Sequence, residues 1–286
     1  MSDVLFIQTA DPFRYREMLS VTSKSVTHYC HKHDCKYESY VGIRRGVHSW
    51  HAIFNRIPIL ADLVAREYRG WVVYLDADAY IFDMNFDLKA YLAENAEAAG
   101  VMACIPGATP HWAINSGVFM LNLGSEHGRT IIERWSAKLA ELSDERLAGM
   151  DVWDDGCSDQ SMLYEVLDED AALRDAVHFE SNELINGNYA RFIRQILRAY
   201  YPSLEARIEA LRLAVAEVVP GERDVVADVA PIVVSAFYRS ILRRDPDAGG
   251  LSHYMERFRE RGIETATREM LSGMLESEEY RRLVGL

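Results

Sequence analysis

Cysteine is scarce in this chain. There are four in 286 residues, Cys30, Cys35, Cys104 and Cys157. So few cannot staple a small disulfide scaffold, and they predict a reduced, cytoplasmic protein that relies on an apolar core. Positive charge is also in deficit, with 31 Lys and Arg against 44 Asp and Glu and a net charge of −13. That balance argues against nucleic acid or an anionic membrane as a partner held by bulk electrostatics. A phosphate-bearing ligand would need local help from a metal ion or a few placed cations. Long apolar runs are missing, and none approaches the roughly 18 residues of a membrane span. The opening MSDVLFIQTADPF has no basic n-region and no long apolar stretch, so no signal peptide and no transmembrane segment are expected.

What is present is an ordinary globular mix, 49% hydrophobic and 26% charged, long enough for one large domain or two. VLFIQTA (4–10) reads as a strand, 15–33 as a helix, KYESYVG (36–42) as a strand and 50–68 as a helix. WVVYLD, GVMACIP (100–106) and SGVFMLNLG (116–124) read as further strands, with helices near 127–142 and 158–168. Strands alternating with helices predict an α/β fold with a mostly parallel sheet and helices on both faces. From 189 to 219 the pattern predicts helix throughout, broken only at Tyr201-Pro202. PGERD (220–224) then reads as a linker. The organisation expected is a domain over 1–220 and a small all-α domain over 225–286.

The stretch WVVYLDADAYIFD (71–83) drives an apolar strand into two carboxylates, Asp76 and Asp78. In open α/β sheets ligands bind at the carboxyl ends of strands. Two carboxylates there suit Mg²⁺ or Mn²⁺, which complete their shells with water and substrate phosphates. Such a metal stabilises a leaving nucleoside diphosphate as a Lewis acid. The plain alternative is a solvated acidic turn. A phosphatase of the haloacid-dehalogenase type also uses an apolar strand ending in D-x-D. Its motif continues Gly-Thr and lies on the first strand, whereas here Ala79 and Tyr80 follow and about 70 residues precede.

Residues 50–83, through the D-x-D, resemble the corresponding segment of GT-A glycosyltransferases. The likeness is to the galactosyl- and xylosyltransferases of galactomannan and xyloglucan synthesis, and more loosely to glycogenin-like enzymes. INSGVFMLNLG (114–124) is similar to their N-[AS]-G strand and SDQSML (158–163) to their D-Q helix start, in the same order. The resemblance covers roughly residues 3–200. It implies transfer of a sugar from a nucleotide-sugar donor, UDP-linked, to a glycan or other hydroxyl acceptor, with Mn²⁺ or Mg²⁺ and retention of configuration. A non-catalytic sugar- or nucleotide-binding protein is the other outcome weighed. A nucleotidyltransferase would carry a Gly-rich basic loop where this chain has IQTADPF.

The resemblance assigns roles residue by residue. Asp76 and Asp78 would hold the metal. Asp159 would contact sugar hydroxyls and Gln160 would lie near the anomeric carbon; helix capping is the plain alternative for Asp159. Asn115, Ser116 and Gly117 would line the sugar, with Gly117 allowing close backbone approach; a simple strand turn is the alternative. Thr9, Ala10, Asp11 and Tyr15, at the exit of the first strand, would receive the nucleotide, Tyr15 by stacking. Arg56 would meet the diphosphate or lie exposed on its helix. One departure concerns the third metal ligand, a late His in such enzymes. Here Gln195 stands at that place in RFIRQILRAYYP, and His178 is the alternative.

HYCHKHDC (28–35) offers zinc-type ligands, but its C-x4-C spacing is not that of a zinc knuckle and no second pair lies nearby. Cys104 is expected in the core. The segment AFYRSILRRDPDAGGLSHYMERFRERG resembles a small helical module of unknown function, similar to phycobilisome linkers. Phe237, Tyr238, Ile241 and Leu242 make an apolar helical face, DPDAGG makes a turn with Asp245-Pro246-Asp247 capping the next helix, and Gly262 stops it. No catalytic set appears there. A calcium loop would need more acidic ligands, so a protein-binding or oligomerising role is expected.

Overall fold

The computed structural model describes residues 3–153, 155–219, 225–261 and 263–285. The chain divides into two compact units, Met1–Pro220 and Gly221–Leu286. The linker expected at 220–224 and the helix stop expected at Gly262 lie outside the described residues.

In the first unit β1 (Val4–Ala10), α1 (Arg16–His33), β2 (Lys36–Val41), α2 (Arg56–Ala65) and β3 (Trp71–Asp76) follow in order. After them come β4 (Ala79–Ile81), α3 (Leu88–Glu94), β5 (Gly100–Cys104), β6 (Ile114–Asn122), α4 (Glu126–Ala140) and α5 (Asp144–Gly149). The unit ends with α6 (Asp159–Glu169), α7 (Ala171–Asp175), β7 (Val177–Glu180), β8 (Ile185–Gly187), β9 (Ile193–Gln195) and α8 (Leu204–Val218). The main sheet has the order β2-β1-β3-β6-β5-β7, and a small sheet has the order β4-β9-β8. In the main sheet only β6 runs antiparallel to its neighbours. The expected mostly parallel α/β sheet is therefore what forms.

The sheet is covered on both faces, which is why WVVYLD is apolar without alternation. Val72 and Tyr74 join the core under α2, α4 and α6. Trp71, Val73 and Leu75 join the opposite core with α1, α3, β8 and β9. The chain leaves β1 for β2 on one side and then crosses to β3 on the other. The crevice beyond the ends of β1 and β3 is therefore the switch point where ligands bind in such sheets. Register places Thr9 beside Asp76.

Three expectations are corrected. Residues 50–68 are not one α-helix: Ser49–Asn55 is 3₁₀ and α2 starts at Arg56. Pro58 has no N–H to donate to Phe54, so the helix restarts with the proline in its first turn. Residues 189–197 are not helical, and Arg198–Tyr200 form only a 3₁₀ turn before α8. The run 193–195 becomes β9 and pairs antiparallel with β4, Ala79 opposite Gln195. Its apolar residues fit either period, and the open edge of β4 decides the outcome. Cys104 is only partly buried, at the end of β5.

The second unit holds α9 (Val225–Phe237), a π-helical turn at Tyr238–Leu242, α10 (Ala248–Arg261), α11 (Ile263–Glu276) and α12 (Glu278–Val284). Tyr238 and Leu242 are buried with Phe258, Met270 and Met274 in a core of its own. Asp247 caps α10, its Oδ1 accepting the Gly250 N–H at 2.7 Å. No helix among the described residues is long and apolar enough to cross a membrane. Because each unit has its own core, a chain ending at Val219 is expected to keep a single cooperative thermal transition. Circular dichroism melting of the two chains checks this; a molten, non-cooperative profile for the shorter chain would contradict it.

Candidate active site

The turn from β3 into β4 carries Asp76 and Asp78 and is held from below by buried polar side chains. Gln8, in the middle of β1, is fully buried and donates Nε2 to the carbonyls of Asp76 and Ala79, at 3.2 and 3.1 Å. Thr22 on α1 donates its hydroxyl to the Ala77 carbonyl at 2.9 Å. A polar residue inside an apolar strand needs partners, and here it fixes the loop.

Arg56 opens α2 and is 3% exposed. It is therefore buried rather than exposed on the helix surface. Its guanidinium donates to Asp76 Oδ1 at 2.5 Å, to the Ser116 carbonyl at 2.6 Å and to the Ile53 carbonyl at 3.1 Å. It lies 3.1 Å from Asp159 Oδ2 and stacks 4.3 Å over the Tyr74 ring. Burial opposes its charge, but Asp159 and Asp76 outweigh burial and hold it protonated. Asp159 opens α6 beneath β6. Its Oδ2 accepts the Ser116 hydroxyl at 3.0 Å, and burial raises its pKa against the pull of Arg56. Gln160 Oε1 accepts the Ser116 N–H at 3.0 Å. Its Nε2 has no hydrogen-bond partner among the described residues. Ser158, rather than Asp159, caps α6, accepting the Ser161 N–H.

Asp78 faces the other way. Its Oδ1 accepts from Gln195 Nε2 at 3.0 Å, and its Oδ2 pairs with Arg207 on α8. Gln195 Nε2 also reaches Asp76 Oδ2 at 3.4 Å, so it bridges the two carboxylates. Burial raises Asp76 to about 6, with Arg56 pulling it back, although 31% of its side chain is exposed. Burial lowers Arg207, and a bond to the Tyr15 hydroxyl resists that. Its Nε donates to the Ile196 carbonyl at 2.7 Å.

The residues expected to receive a nucleotide lie at and after the exit of β1, next to β3. Thr9 shares a 2.8 Å hydrogen bond with the Tyr74 hydroxyl. Ala10 packs with Leu19 and Ala77. Asp11 spends both oxygens on backbone, accepting from Phe13, Arg14 and Tyr15 at 2.8, 2.7 and 3.0 Å. Asn115 Oδ1 accepts the Gly117 N–H at 3.0 Å. At Gly117 a Cβ would stand 2.4 Å from Gln195 Nε2, so the missing side chain makes room for Gln195. His178 is not brought to the site. It lies on β7, three strands from β3, with Nε2 3.5 Å from Glu180.

Gln8, Thr22, Arg207 and Asn186 escaped the sequence reading. Asn186 has φ of 67° and donates Nδ2 to the Asn115 carbonyl at 2.7 Å. Arg207 left a signal: at 207, 211 and 215 it shares the apolar face of α8 with Leu211 and Val215. A cation at that register needs a carboxylate partner.

Gln195 Oε1 and Asn186 Oδ1 are buried acceptors with no donor. Around Asp76 and Asp78, three carboxylates (Asp159 included) face two guanidiniums, which leaves one negative charge. Among the described residues no group of three or more His, Cys, Asp or Glu could hold a metal. The oxygen set of Asp76, Asp78 and Gln195 still suits a hard divalent cation. Gln195 presents nitrogen to both carboxylates and leaves its oxygen unpaired. Rotating the amide would point the oxygen at a cation between them.

A profile for a domain of unknown function, DUF4214, matches residues 232–284. No curated protein matches the chain. Among solved structures, a glycosyltransferase involved in the glycosylation of the major capsid of PBCV-1 is similar at 14% identity, over 74% of this chain and 99% of that one, with a TM-score of 0.54. The bifunctional glycosyltransferase WbbM aligns at 12% identity, over 74% of this chain and 45% of that one, with a TM-score of 0.41. At that identity, the first likeness is one of fold.

Because Arg207 and Asp78 are both buried, removing one should strand the other. Arg207→Ala is expected to cost about 3–5 kcal/mol in urea unfolding. Adding Asp78→Asn should recover a large part of that loss. Additive losses in the double-mutant cycle would contradict the pairing.

Proposed function

We propose that the chain is a glycosyltransferase that moves a sugar from a UDP-linked nucleotide sugar to a hydroxyl acceptor, a glycan, with retention and with Mn²⁺ or Mg²⁺. The observation that carries this is the union of three sequence features in one cluster. The D-x-D carboxylates, the Asn115-Ser116-Gly117 strand and the Asp159-Gln160 helix start are linked through Arg56, Ser116 and Gln195. The fold shared with a glycosyltransferase supports the same reading.

Asp76, Asp78 and Gln195 would hold the metal, which would neutralise the diphosphate and stabilise its departure. The chain's own groups do the rest. Arg56 favours the ionised forms of Asp76 and Asp159 against the effect of burial, and it fixes Ser116. Arg207, the one site cation contributed by α8, stands beside Asp78 and Tyr15 and adds positive charge where the nucleotide would lie. Gln160 is oriented by the Ser116 N–H and keeps Nε2 and the second lone pair of Oε1 for the reacting sugar. In a front-face reaction the bond from the anomeric carbon to the phosphate oxygen breaks as the bond to the acceptor oxygen forms. The acceptor's proton passes to the departing phosphate oxygen, so no carboxylate nucleophile is required. Stabilising charge on that phosphate is the main demand on the site.

The test is release of UDP from a panel of UDP-sugars, with thermal shift reporting binding in Mn²⁺. Asp76→Ala and Asp78→Ala are expected to abolish turnover and weaken UDP binding in Mn²⁺. Gln160→Ala is expected to lower kcat about tenfold or more, a barrier change of about 1.4 kcal/mol, with donor KM little changed. Unaltered UDP binding in both Asp variants would place the donor elsewhere. Phosphomonoester hydrolysis through an aspartyl-phosphate at Asp76 would replace this reading with a phosphatase.

A further inference from the structure

The first unit has a concave feature apart from the carboxylate cluster. A groove of about 840 Å³ opens along α6, α7 and the edge strand β7, ahead of β6. That volume lies within the range of about 300–1,000 Å³ usual for ligand sites. Trp112 and Tyr164 form its aromatic wall, stacked at 4.9 Å and 11°. The Arg174 guanidinium sits 5.1 Å over the Trp112 ring, and Phe179 packs against it at 6.3 Å. These contacts fix the rings in place, so the wall is preorganised.

Carboxylates border the wall. Asp168 has no hydrogen-bond or ion-pair partner among the described residues, and Asp175 makes only a 4.0 Å approach to Arg174 Nε. Flat aromatic surface with exposed carboxylate acceptors at its margin matches a pyranose ring, which has apolar C–H faces and a rim of hydroxyl donors. Two carboxylates against one guanidinium leave the lining negative, which disfavours phosphates and uronic acids.

Both rings of the wall stand on segments that lead back to the candidate active site. Gln160, Tyr164 and Asp168 are spaced four apart and share one face of α6. At about 1.5 Å per residue, Tyr164 lies roughly 6 Å and Asp168 roughly 12 Å along the axis from Gln160. In the chain, Trp112 precedes Asn115 by three residues. We propose that this groove binds a neutral oligosaccharide, the acceptor chain, and leads it toward Gln160. The acceptor role rests on the transferase reading; the saccharide chemistry rests on the groove.

The test uses the full chain against an array of neutral oligosaccharides, from trisaccharides to hexasaccharides, with acidic and phosphorylated counterparts. UDP binding in Mn²⁺ is measured in parallel. The expected result is binding of at least one neutral oligosaccharide, weakened about tenfold or more by Tyr164→Ala and by Asp168→Asn, with UDP affinity unchanged. Asp168 is exposed, so its variant keeps the test meaningful if Tyr164→Ala disturbs packing. No neutral oligosaccharide retained, retention unaffected by both variants, or preference for acidic or phosphorylated glycans would each overturn the proposal. Variant-sensitive saccharide binding without UDP binding would support the groove and sink the transferase reading. UDP binding without saccharide binding would do the reverse.

Discussion

Arg56 is the residue on which the site depends. A guanidinium has five donors and no acceptor, and burying one costs several kcal/mol unless the donors are used. Here one buried side chain ties the start of α2, the end of β3, the start of β6 and the start of α6 together. Each contact is to a group whose position matters for the chemistry proposed: Asp76, Ser116 and Asp159. The planar fork also lies over Tyr74, whose hydroxyl meets Thr9, so the nucleotide end of β1 is coupled to the same anchor. A lysine could not reproduce this, since one ammonium cannot span three directions in a fixed plane.

The charge left over has a consequence. Two guanidiniums face three carboxylates, Asp78 and Asp159 buried and Asp76 partly exposed, and burial raises both Asp76 and Asp159. The cluster therefore favours an added cation, and Gln195 leaves an oxygen without a donor, a loss of about 1–3 kcal/mol. A divalent ion would reverse the sign of the local charge and suit a diphosphate. A neutral amide in place of imidazole makes this affinity independent of histidine protonation, because Gln195 has no proton to lose in the physiological range.

Much of this was legible in the sequence, for physical reasons. WVVYLD is apolar without alternation, which only a sheet covered on both faces explains. Asp76, Asp78, Asn115, Ser116, Asp159 and Gln160 lie at strand or helix ends, where local motifs keep their spacing. What escaped was set by tertiary partners. The 3₁₀ start at Ser49–Asn55 followed from a proline that is easily passed over inside a helical period. β9 formed where a helix was expected because β4 offered it an edge. The burial of Arg56 was not legible, since an arginine in a helix says nothing by itself about burial. Gln8 and Arg207 did leave marks, each a polar residue in an apolar register. Such a mark says that a partner exists but not which one.

The order of the chain adds a last constraint. Asp76 and Asp78 are placed early, but Gln195 and Arg207 come from the end of the unit, and the Gln195–Asp78 bond spans 117 residues. Closing contacts so distant in sequence is slow and pays loop-closure entropy before any reward. Until β9 and α8 dock, Asp78 has neither of these partners and Gly117 faces an empty place. The contacts of Asp78 are therefore completed by the same elements that close the small sheet and pack α8 against α1. Stability of the last fifty residues of this unit and competence of the carboxylates are one property rather than two.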